Sequence, residues 1–565
     1  MTSGKIPCCI IVSFVCMLIT SSMFARTWQV PTEVPTIKQA VEDSAAYGDT
    51  VLVAPGNYDT ASGESFPINM TSGITLTSES GAPLTTIDAN TTGSVISCIN
   101  CDQSTEINGF TITGGYAPDG GGIYCYQSYL TIRDNIIRHN TATSITGGGG
   151  GIYCSNSEPT ITHNLIIENA SLLCFGGGIY CYFCYALIER NTVAYNTSRW
   201  GGGIFNDNSS PVIQYNMIKG NHSEWSGGGL DCYTNSSPDI TRNVIVGNSS
   251  GTDGAGIACC YSSAPNIQHN TIACNVGNFG GGVRSLGGSA PTVIANIIVD
   301  NVDALYLNYD SGVMLANENN IYCNSYQPDD YEVINNTNTT INITNNFWWE
   351  TDVPSIGSLI YGPANFEPFH TNPVSTTPNE PSAITSIMAM TDSTYATPLA
   401  SNLQIGDTLY VQLTGTDWHS GFIEPALVIL KTTLDPFGIA VALIETDTAT
   451  GIYQGRAHVS TASDDALNHI GANQDDTLFI VSHIDSTKRD TVFIGNIGIR
   501  EHQTSPVRGG TRPTTIISGS INLPNAREYR IYDITGRIVQ PQALRQGIYF
   551  LAIDGAIVSK VVKVR

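Results

Sequence analysis

The stretch GGGIYC stands at Gly120–Cys125 and recurs unchanged at Gly149–Cys154 and Gly176–Cys181. Four looser copies, GGGIFN, GGGLDC, GAGIAC and GGGVRS, begin at Gly201, Gly227, Gly254 and Gly280. Successive copies are separated by 25 to 29 residues. A nearly constant period in this range is typical of stacked supersecondary units, so the repeat decides how the rest of the chain is interpreted.

Aliphatic residues return at three positions in every copy and form three columns. The columns are Ile123, Ile152, Ile179, Ile204, Leu230, Ile257 and Val283; Ile132, Ile161, Ile188, Ile213, Ile240, Ile267 and Val293; and Ile137, Ile166, Val193, Ile218, Ile245, Ile272 and Ile298. An Asn follows the second and third columns in each copy, as Asn135 and Asn140 do in the first, and we expect these amides to stack between copies. Three short strands per copy, with Asn and Gly at the corners, predict a parallel β-helix whose stacked coils enclose one core.

The composition restricts the possible partners. The chain has 565 residues, 41% hydrophobic and 13% charged residues, and a net charge of −24. Such a balance predicts a folded protein and argues against nucleic acid or anionic lipid as the main partner. We expect no cofactor, although the acidic balance leaves calcium possible.

The first 25 residues are typical of a secretory signal peptide. Lys5 precedes the apolar run IPCCIIVSFVCMLIT, and Ala25 ends a stretch of small residues suited to cleavage. A membrane anchor is the alternative, although the run is short for a span of roughly 20 residues. No later segment is apolar enough, so we expect no transmembrane helix in the mature, exported protein.

A column of cysteines runs parallel to the first aliphatic column. Cys125, Cys154 and Cys181 each lie two residues after an inward Ile, so strand alternation predicts that they also point inward. Free Cys is among the most buried residue types, and we therefore expect reduced core thiols.

Residues 26–370 resemble a known superfamily. The segments TIKQAV and GDTVLVAPGNY, the repeated GGGIY with its Asn residues, and the terminal NFWWE are similar to the bacterial pectate-lyase-like right-handed β-helix proteins, and the repeats are also similar to chlamydial polymorphic outer-membrane proteins. The resemblance implies the fold strongly and the activity weakly, because lyases, hydrolases, epimerases and adhesins share this scaffold.

The last third of the chain has a different pattern. After a linker at 371–380, alternating apolar runs over 381–500 predict an antiparallel β-sandwich similar to immunoglobulin-like spacers, and a second linker covers 501–524. Residues 525–565, with YRIYDITGRIV, GIYFLAI and SKVVKVR, resemble the C-terminal sorting domain of type IX secretion cargo, a small β-sandwich. That resemblance implies the type IX machinery as a partner and a secreted or outer-surface location in a Gram-negative bacterium. The predicted fold class is thus all-β: a right-handed parallel β-helix, an immunoglobulin-like sandwich and a sorting domain.

Two columns of the first strand are predicted to face solvent, because they alternate with the inward Ile. The fourth-position column lies four residues after the first Gly of each copy and contains Tyr124, Tyr153, Tyr180, Phe205, Asp231, Ala258 and Arg284. The sixth-position column lies six residues after that Gly and contains Tyr126, Ser155, Tyr182, Asp207, Tyr233, Cys260 and Leu286. Exposed aromatic rings beside carboxylates suit sugar binding, so a glycan groove is one interpretation. The alternative is that the rings only stabilise the sheet or are covered by another part of the chain.

Asp207, Asp231 and Arg284 are the candidates for chemistry. Strand geometry predicts that the backbones of Asp207 and Asp231 lie about 8 Å apart, within the ~6.5–9.5 Å separation that inverting glycosidases use for their carboxyl groups. Arg284 could take a proton in a lyase, but no acidic cluster that would bind calcium aligns beside it. No zinc-ligand spacing is present among the histidines, so no metal site is predicted.

Two classes of function remain open at this point. The first is an exported surface protein that binds polysaccharide, a cell-surface glycan or another partner through the aromatic face. The second is a polysaccharide lyase or glycoside hydrolase on the same scaffold.

Overall fold

A computed structural model of the chain describes residues 25–322, 324, 331–374, 383–399, 402–416, 425–435, 438–446, 450–463, 469–482, 487–495, 514–518, 529–533, 547–553 and 556–564. The signal peptide predicted for residues 1–25 lies, but for its last residue, outside the described residues. The chain divides into two compact units, residues 1–378 and 379–565.

The first unit is an all-β parallel solenoid built from four sheets, which we number in the order in which a coil visits them. Sheet 1 contains the strands that follow the Gly corners: Ile68–Met70, Ile96–Ile99, Ile123–Tyr126, Ile152–Ser155, Ile179–Tyr182, Ile204–Asp207, Leu230–Tyr233, Ile257–Cys259, Val283–Ser285, Leu305–Leu307, Val333–Asn335 and Ile360–Tyr361. Sheet 2 contains Thr27–Val30, Thr50–Val53, Thr75–Ser78, Glu106–Asn108, Thr131–Arg133, Thr160–Thr162, Leu187–Glu189, Val212–Gln214, Asp239–Thr241, Asn266–Gln268, Thr292–Ile294, Leu315–Asn317, Ile341–Asn342 and Ala364–Asn365.

Sheet 3 completes the triangular coil that the three aliphatic columns predicted. Its strands are Gly56–Tyr58, Thr85–Asp88, Thr111–Thr113, Ile136–Arg138, Leu165–Ile167, Thr192–Ala194, Met217–Lys219, Val244–Val246, Thr271–Ala273, Ile297–Val299 and Asn320–Tyr322. Each strand pairs in parallel with the equivalent strand of the next coil, and the columns stay in register: Ile123 opposes Ile152, and Ile132 opposes Ile161. The aliphatic columns are fully buried in one continuous core.

Sheet 4 was not anticipated. It lies between the Asn that follows sheet 3 and the next Gly corner, and contains Tyr116–Ala117, Thr141–Ala142, Ala170–Phe175, Thr197–Trp200, His222–Ser226, Ser249–Asp253 and Val276–Phe279. These segments differ in length between coils. The column that they share consists of small residues and not of the aliphatic residues by which the other strands were identified, namely Ala142, Ser171, Ser198, Ser223, Ser250 and Gly277. Each coil therefore has four strands in this region.

Two ladders of buried asparagines join the coils, as the sequence predicted. At the corner between sheets 2 and 3, the Nδ2 of Asn191 donates to the Oδ1 of Asn216 at 3.1 Å, and the Nδ2 of Asn216 donates to the Oδ1 of Asn243 at 3.0 Å. The same Asn216 Nδ2 donates to the Ile188 carbonyl at 2.8 Å, and its Oδ1 accepts from the Asn191 backbone N–H at 2.9 Å. The ladders thereby satisfy backbone groups that would otherwise be orphaned at buried corners.

Steric contacts between adjacent coils explain why glycine occupies the corners before sheet 1. Gly176 adopts φ +60°, and a Cβ on Gly177 would lie 2.5 Å from the Gly202 carbonyl oxygen of the next coil. Only glycine permits this close approach of adjacent coils.

Short helical segments accompany the solenoid near each end. Ile37–Gln39 is α-helical, begins at the cap residue Thr36 and continues as a π-helical turn over Ala40–Ser44. Val353–Ser358 is α-helical and begins after Asp352, whose carboxylate accepts from the Ser355 N–H at 3.0 Å.

The second unit contains two further sheets. Eight strands form one sheet with its own apolar core: Ile384–Met390, Thr408–Gly415, Pro425–Lys431, Ile439–Glu445, Ile452–Ser460, His469–Gly471, Thr477–Ser482 and Arg489–Phe493. Four strands form the other: Thr514–Ser518, Tyr529–Asp533, Gly547–Ile553 and Ala556–Val564. The immunoglobulin-like and sorting-domain assignments of these regions stay predictions.

The cysteine column lies in the solenoid core. Cys125, Cys154 and Cys181 are fully buried free thiols in register on adjacent coils. Hydrogen bonds with neighbouring cysteine thiols, followed by burial, raise the pKa of all three thiols. Their inward orientation agrees with strand alternation, and their redox state stays a prediction.

Candidate functional site

The fourth-position side chains point away from the solenoid core, but most of them do not face solvent. Tyr153, Tyr180, Phe205, Asp231 and Arg284 are all buried, and Tyr180 is 2% and Phe205 0% exposed. Only Tyr124, stacked on Tyr153 with ring centroids 5.5 Å apart, keeps partial exposure. The predicted solvent exposure of these five residues is therefore wrong.

Sheet 4 is the physical reason for this burial. Its residue Phe175 stacks on Phe205 at 4.5 Å between centroids and also contacts Tyr180 at 5.5 Å. The rings form a second apolar cluster outside the solenoid core. Burial raises the pKa of Tyr153 to about 12 and that of Tyr180 further, so both phenols are neutral.

The fourth-position rings contact one another from coil to coil, with centroids 5.1 Å apart for Tyr153 and Tyr180 and 5.3 Å apart for Tyr180 and Phe205, and they are part of a longer aromatic band that includes rings of sheet 4. From one end to the other, ring contacts join Trp225 to Trp200 at 5.8 Å, Trp200 to Phe175 at 5.4 Å, Phe205 to Tyr233 at 5.5 Å, and Tyr233 to Tyr261 at 4.9 Å. The middle of the band is buried, whereas Trp225 and Tyr261 at its two ends are 46% and 50% exposed.

The sixth-position column is accessible only in part, because Ser155 and Cys260 are buried and their predicted solvent exposure is wrong. Tyr126, Tyr182, Asp207 and Tyr233 are all partly exposed, and Tyr182, Asp207 and Tyr233 are register partners on three consecutive coils. The turn that follows sheet 1 adds exposed rings next to them, namely Tyr129, Phe183, Tyr185 and Tyr261. We call these seven aromatic residues and Asp207 the aromatic edge.

The turn aromatics and the two tryptophans were missed by sequence reasoning. A signal for the turn residues exists in the alignment of the copies, because Phe183 and Tyr261 occupy the position that is Asn156 and Asn208 in other copies, and the structure shows a positive φ there. Trp200 stands directly before its Gly corner, as Phe175 and Phe279 do, so counting back from the glycines would have marked it, whereas Trp225 stands two residues before its Gly.

Asp207 and Asp231 differ strongly in environment. Asp231 is 0% exposed, and neither of its carboxylate oxygens has a hydrogen-bond partner, although the Ser226 hydroxyl and the Cys260 thiol lie beside it. Burial, helped by the negative charge of Asp207, raises the pKa of Asp231 to about 7. Asp207 is half-buried, and desolvation raises its pKa as well. The two carboxyl groups interact electrostatically, but only Asp207 is accessible to a ligand.

Arg284 is enclosed and engaged. Its guanidinium forms an ion pair with Asp253 of sheet 4 and lies 5.4 Å from the ring centroids of both Phe279 and Tyr306. Burial lowers its pKa to about 10. Arg284 is therefore a charged group within the covered face, and it is not available as a proton acceptor for a substrate at the surface.

Two kinds of site are not found in the described ranges. There, no group of three or more His, Cys, Asp or Glu side chains is arranged to hold a metal ion. No helix in the same ranges is long and apolar enough to cross a membrane.

Comparisons with known proteins agree with the fold. Residues 122–298 match the family described as a right-handed beta helix region, and residues 27–198 match a protein family of unknown function, DUF1565. Among solved structures, the chain is similar to the A-module of the mannuronan C-5 epimerase AlgE4 of Azotobacter vinelandii, at 14% identity and a TM-score of 0.33, over 57% of this chain and 91% of that chain. No curated protein matches the chain at a significant level.

Proposed function

We propose that this protein is an exported β-solenoid that binds an extended polysaccharide at the aromatic edge. The observation that carries the proposal is the arrangement of Tyr182, Asp207 and Tyr233, a partly exposed carboxyl group between two partly exposed phenol rings on consecutive coils. Aromatic faces bind the apolar faces of sugar rings, and a carboxyl group accepts hydrogen bonds from sugar hydroxyls.

The geometry of the edge suits an extended ligand. Strands of adjacent coils are about 4.8 Å apart, so side chains from several coils present a regular row to a chain-like molecule lying along the solenoid. The buried band beneath the edge fixes the rings in place, because Tyr233 packs on Phe205 and Phe205 on Phe175. A rigid platform loses little conformational entropy when the ligand binds.

Glycoside hydrolysis or lyase chemistry has less support. A pair of carboxyl groups must flank the scissile bond, and the buried Asp231 does not reach the surface that Asp207 shares. Arg284 is likewise covered and paired. Of the three candidates for chemistry, Asp207, Asp231 and Arg284, Asp207 is then the one that could touch a substrate.

Export to the outer surface is part of the same proposal. It is supported by the signal-like residues 1–25 and by the resemblance of residues 525–565 to type IX sorting domains. A secreted or surface location would give the edge access to polysaccharide outside the cell.

The test is a glycan array probed with the purified full-length protein, followed by calorimetry with the strongest glycan. Replacing Tyr182 and Tyr233 together by Ala removes two stacking faces, and at about 1 kcal/mol per ring we expect affinity to fall roughly 10-fold or more. The matched control is Tyr361→Ala, which removes an exposed ring of sheet 1 far from the edge.

Product analysis separates binding from catalysis. We expect no new reducing or unsaturated ends when the glycan is incubated with the protein. Turnover that disappears in Asp207→Asn would replace the binding proposal by the enzymatic one, and equal affinities of the Tyr double variant and the control would show that the edge is not the site.

A further inference from the structure

A second feature lies on a different corner of the solenoid, between sheets 2 and 3. The residue just before the ladder Asn is His163, Arg190, Tyr215, Arg242 and His269 on five consecutive coils. The chain has 48 acidic residues against 24 Lys and Arg, yet no acidic residue occupies this position over the five coils. We call Arg190, Tyr215 and Arg242 the arginine ladder.

The arginine ladder is stacked and open to solvent. The guanidinium carbon of Arg190 lies 5.3 Å from the Tyr215 ring centroid, and that of Arg242 lies 5.8 Å from the same centroid. All three side chains are exposed. Cation–π contact with one shared ring holds both guanidinium groups in place while leaving their N–H groups free to donate outward.

Neither guanidinium group is neutralised within the described residues. Arg26, Arg133, Arg199 and Arg284 each pair with a carboxylate, whereas Arg190 and Arg242 have no such ion pair. The nearest acidic side chain along the strand, Glu189, accepts a hydrogen bond from Gln214 at 2.9 Å. Two exposed, unpaired arginines on a strongly acidic protein are then a local positive site.

We propose that the arginine ladder binds an anionic polysaccharide through its sulfate or carboxylate groups. The guanidinium groups lie two coils apart, roughly 10 Å, so they contact anionic groups spaced along one extended chain. His163 and His269 continue the row at its two ends. The more distant carboxylates oppose binding weakly, because the Debye length is about 8 Å at physiological ionic strength.

This site is independent of the aromatic edge, and its test uses different ligands. The full-length protein is passed over immobilised dextran sulfate, polygalacturonate and uncharged dextran, and affinity is measured as a function of NaCl concentration. We expect binding to at least one of the two polyanions, no binding to dextran, and a steep loss of affinity as salt increases. Whether the sulfated or the carboxylated polymer binds more tightly identifies the preferred anion.

The decisive variant is Arg190→Gln with Arg242→Gln, which should weaken polyanion binding at least 10-fold and flatten its salt dependence. The control, Arg26→Gln with Arg133→Gln, removes the same net charge from arginines that already have partners, and should change affinity less than about 2-fold. Tyr215→Ala should give an intermediate loss that Tyr215→Phe does not, because Phe keeps the stacking ring.

Two results would overturn the proposal. The first is absence of polyanion binding by the unmodified protein at low salt, and the second is an equal loss of affinity in the two double variants. The variant with Ala at Tyr182 and Tyr233 should bind polyanions normally, so failure of the aromatic edge and failure of the arginine ladder give different patterns.

Discussion

The carboxyl group of Asp231 is enclosed by the outer face of sheet 1 and the strands that cover it. Ionising this group would place a charge among apolar rings without a hydrogen-bond partner. The pKa of about 7 means that the carboxyl group of Asp231 is instead protonated, and therefore neutral, in acidic solution. A residue that strand alternation assigns to the outside thus behaves chemically as an interior one.

This environment predicts a pH-dependent stability. The folded-state pKa of about 7 exceeds the ordinary Asp value of 3.8, so between these values the folded protein holds a proton that the unfolded chain has released. Stability from Asp231 is therefore full at about pH 4 and is lost as the pH rises through 7, by roughly 4 kcal/mol over the interval. Thermal unfolding from pH 4 to pH 8 should show a downward trend in the unmodified protein that is much weaker in Asp231→Asn.

The exposed Asp239 provides the control for this measurement. Asp239→Asn changes the net charge equally but removes no buried group, so its curve should run parallel to that of the unmodified protein. If the Asp231→Asn curve also runs parallel, the carboxyl group of Asp231 is solvated in solution and the covering strands are open.

At the scale of elements, the difference between prediction and structure comes from sheet 4. The Ile and Asn columns identified three strands because those residues repeat in every coil, and the structure confirms the three sheets. The strands of sheet 4 have no aliphatic column, so alignment on the Ile and Asn residues did not identify them, although Phe175, Trp200 and Phe279 each stand directly before a Gly corner. Side-chain parity was predictable from strand alternation, but exposure depends on a neighbouring layer that periodicity does not report.

The asparagine ladders allow a test at this scale. Asn216→Ala leaves the Asn191 backbone N–H without its acceptor and the Ile188 carbonyl without its donor. At about 1–3 kcal/mol for each unsatisfied buried group, we expect the free energy of unfolding to fall by roughly 3 kcal/mol. Hydrogen exchange should accelerate mainly in the coils on either side, because a solenoid transmits stability between nearest neighbours.

Asn266→Ala is the matched control for the ladder. Asn266 lies on the outer face of sheet 2, and its amide Nδ2 donates to Asp239 at 3.3 Å. We expect a change of less than about 1 kcal/mol. Similar losses in the two variants would mean that the ladder adds nothing beyond an ordinary surface amide.

At the scale of the whole molecule, the fold and its repeating unit could be read from the sequence, whereas the accessible surface could not. The solenoid was predicted because stacking requires the same residues in every coil. The aromatic edge and the arginine ladder depend on which side chains are left uncovered, and for Tyr153 or Arg284 that is decided by contacts with a different sheet. The two segments on which export is proposed are interpreted from the sequence alone, residues 1–25 from their signal-peptide pattern and residues 525–565 from their resemblance to sorting domains.

Removing residues 529–565 tests the role of the C-terminal segment. The described strands of this segment pair with one another and with Thr514–Ser518, so we expect the truncated protein to fold with an unchanged solenoid. We expect it to accumulate in the periplasm, as measured by fractionation and immunoblotting, while the full-length protein reaches the surface or the medium. Normal appearance of the truncated protein outside the cell would contradict the sorting role.

The asparagine ladders have a direction, since in each amide-to-amide hydrogen bond from Asn135 to Asn346 the Nδ2 donates to the Oδ1 of the next coil toward the C-terminal end, while the same Nδ2 also donates to a main-chain carbonyl of the preceding coil. The parallel ladder that starts at Asn140 runs the same way and ends where Asn324 donates to the buried carboxylate of Glu332 at 2.7 Å. Each coil consequently offers the same donors on one side and the same acceptors on the other. Duplication of one coil within the gene, 25 to 29 codons long, would insert a unit that fits both of its neighbours, so the length of this protein can grow in single steps without any new interface having to evolve.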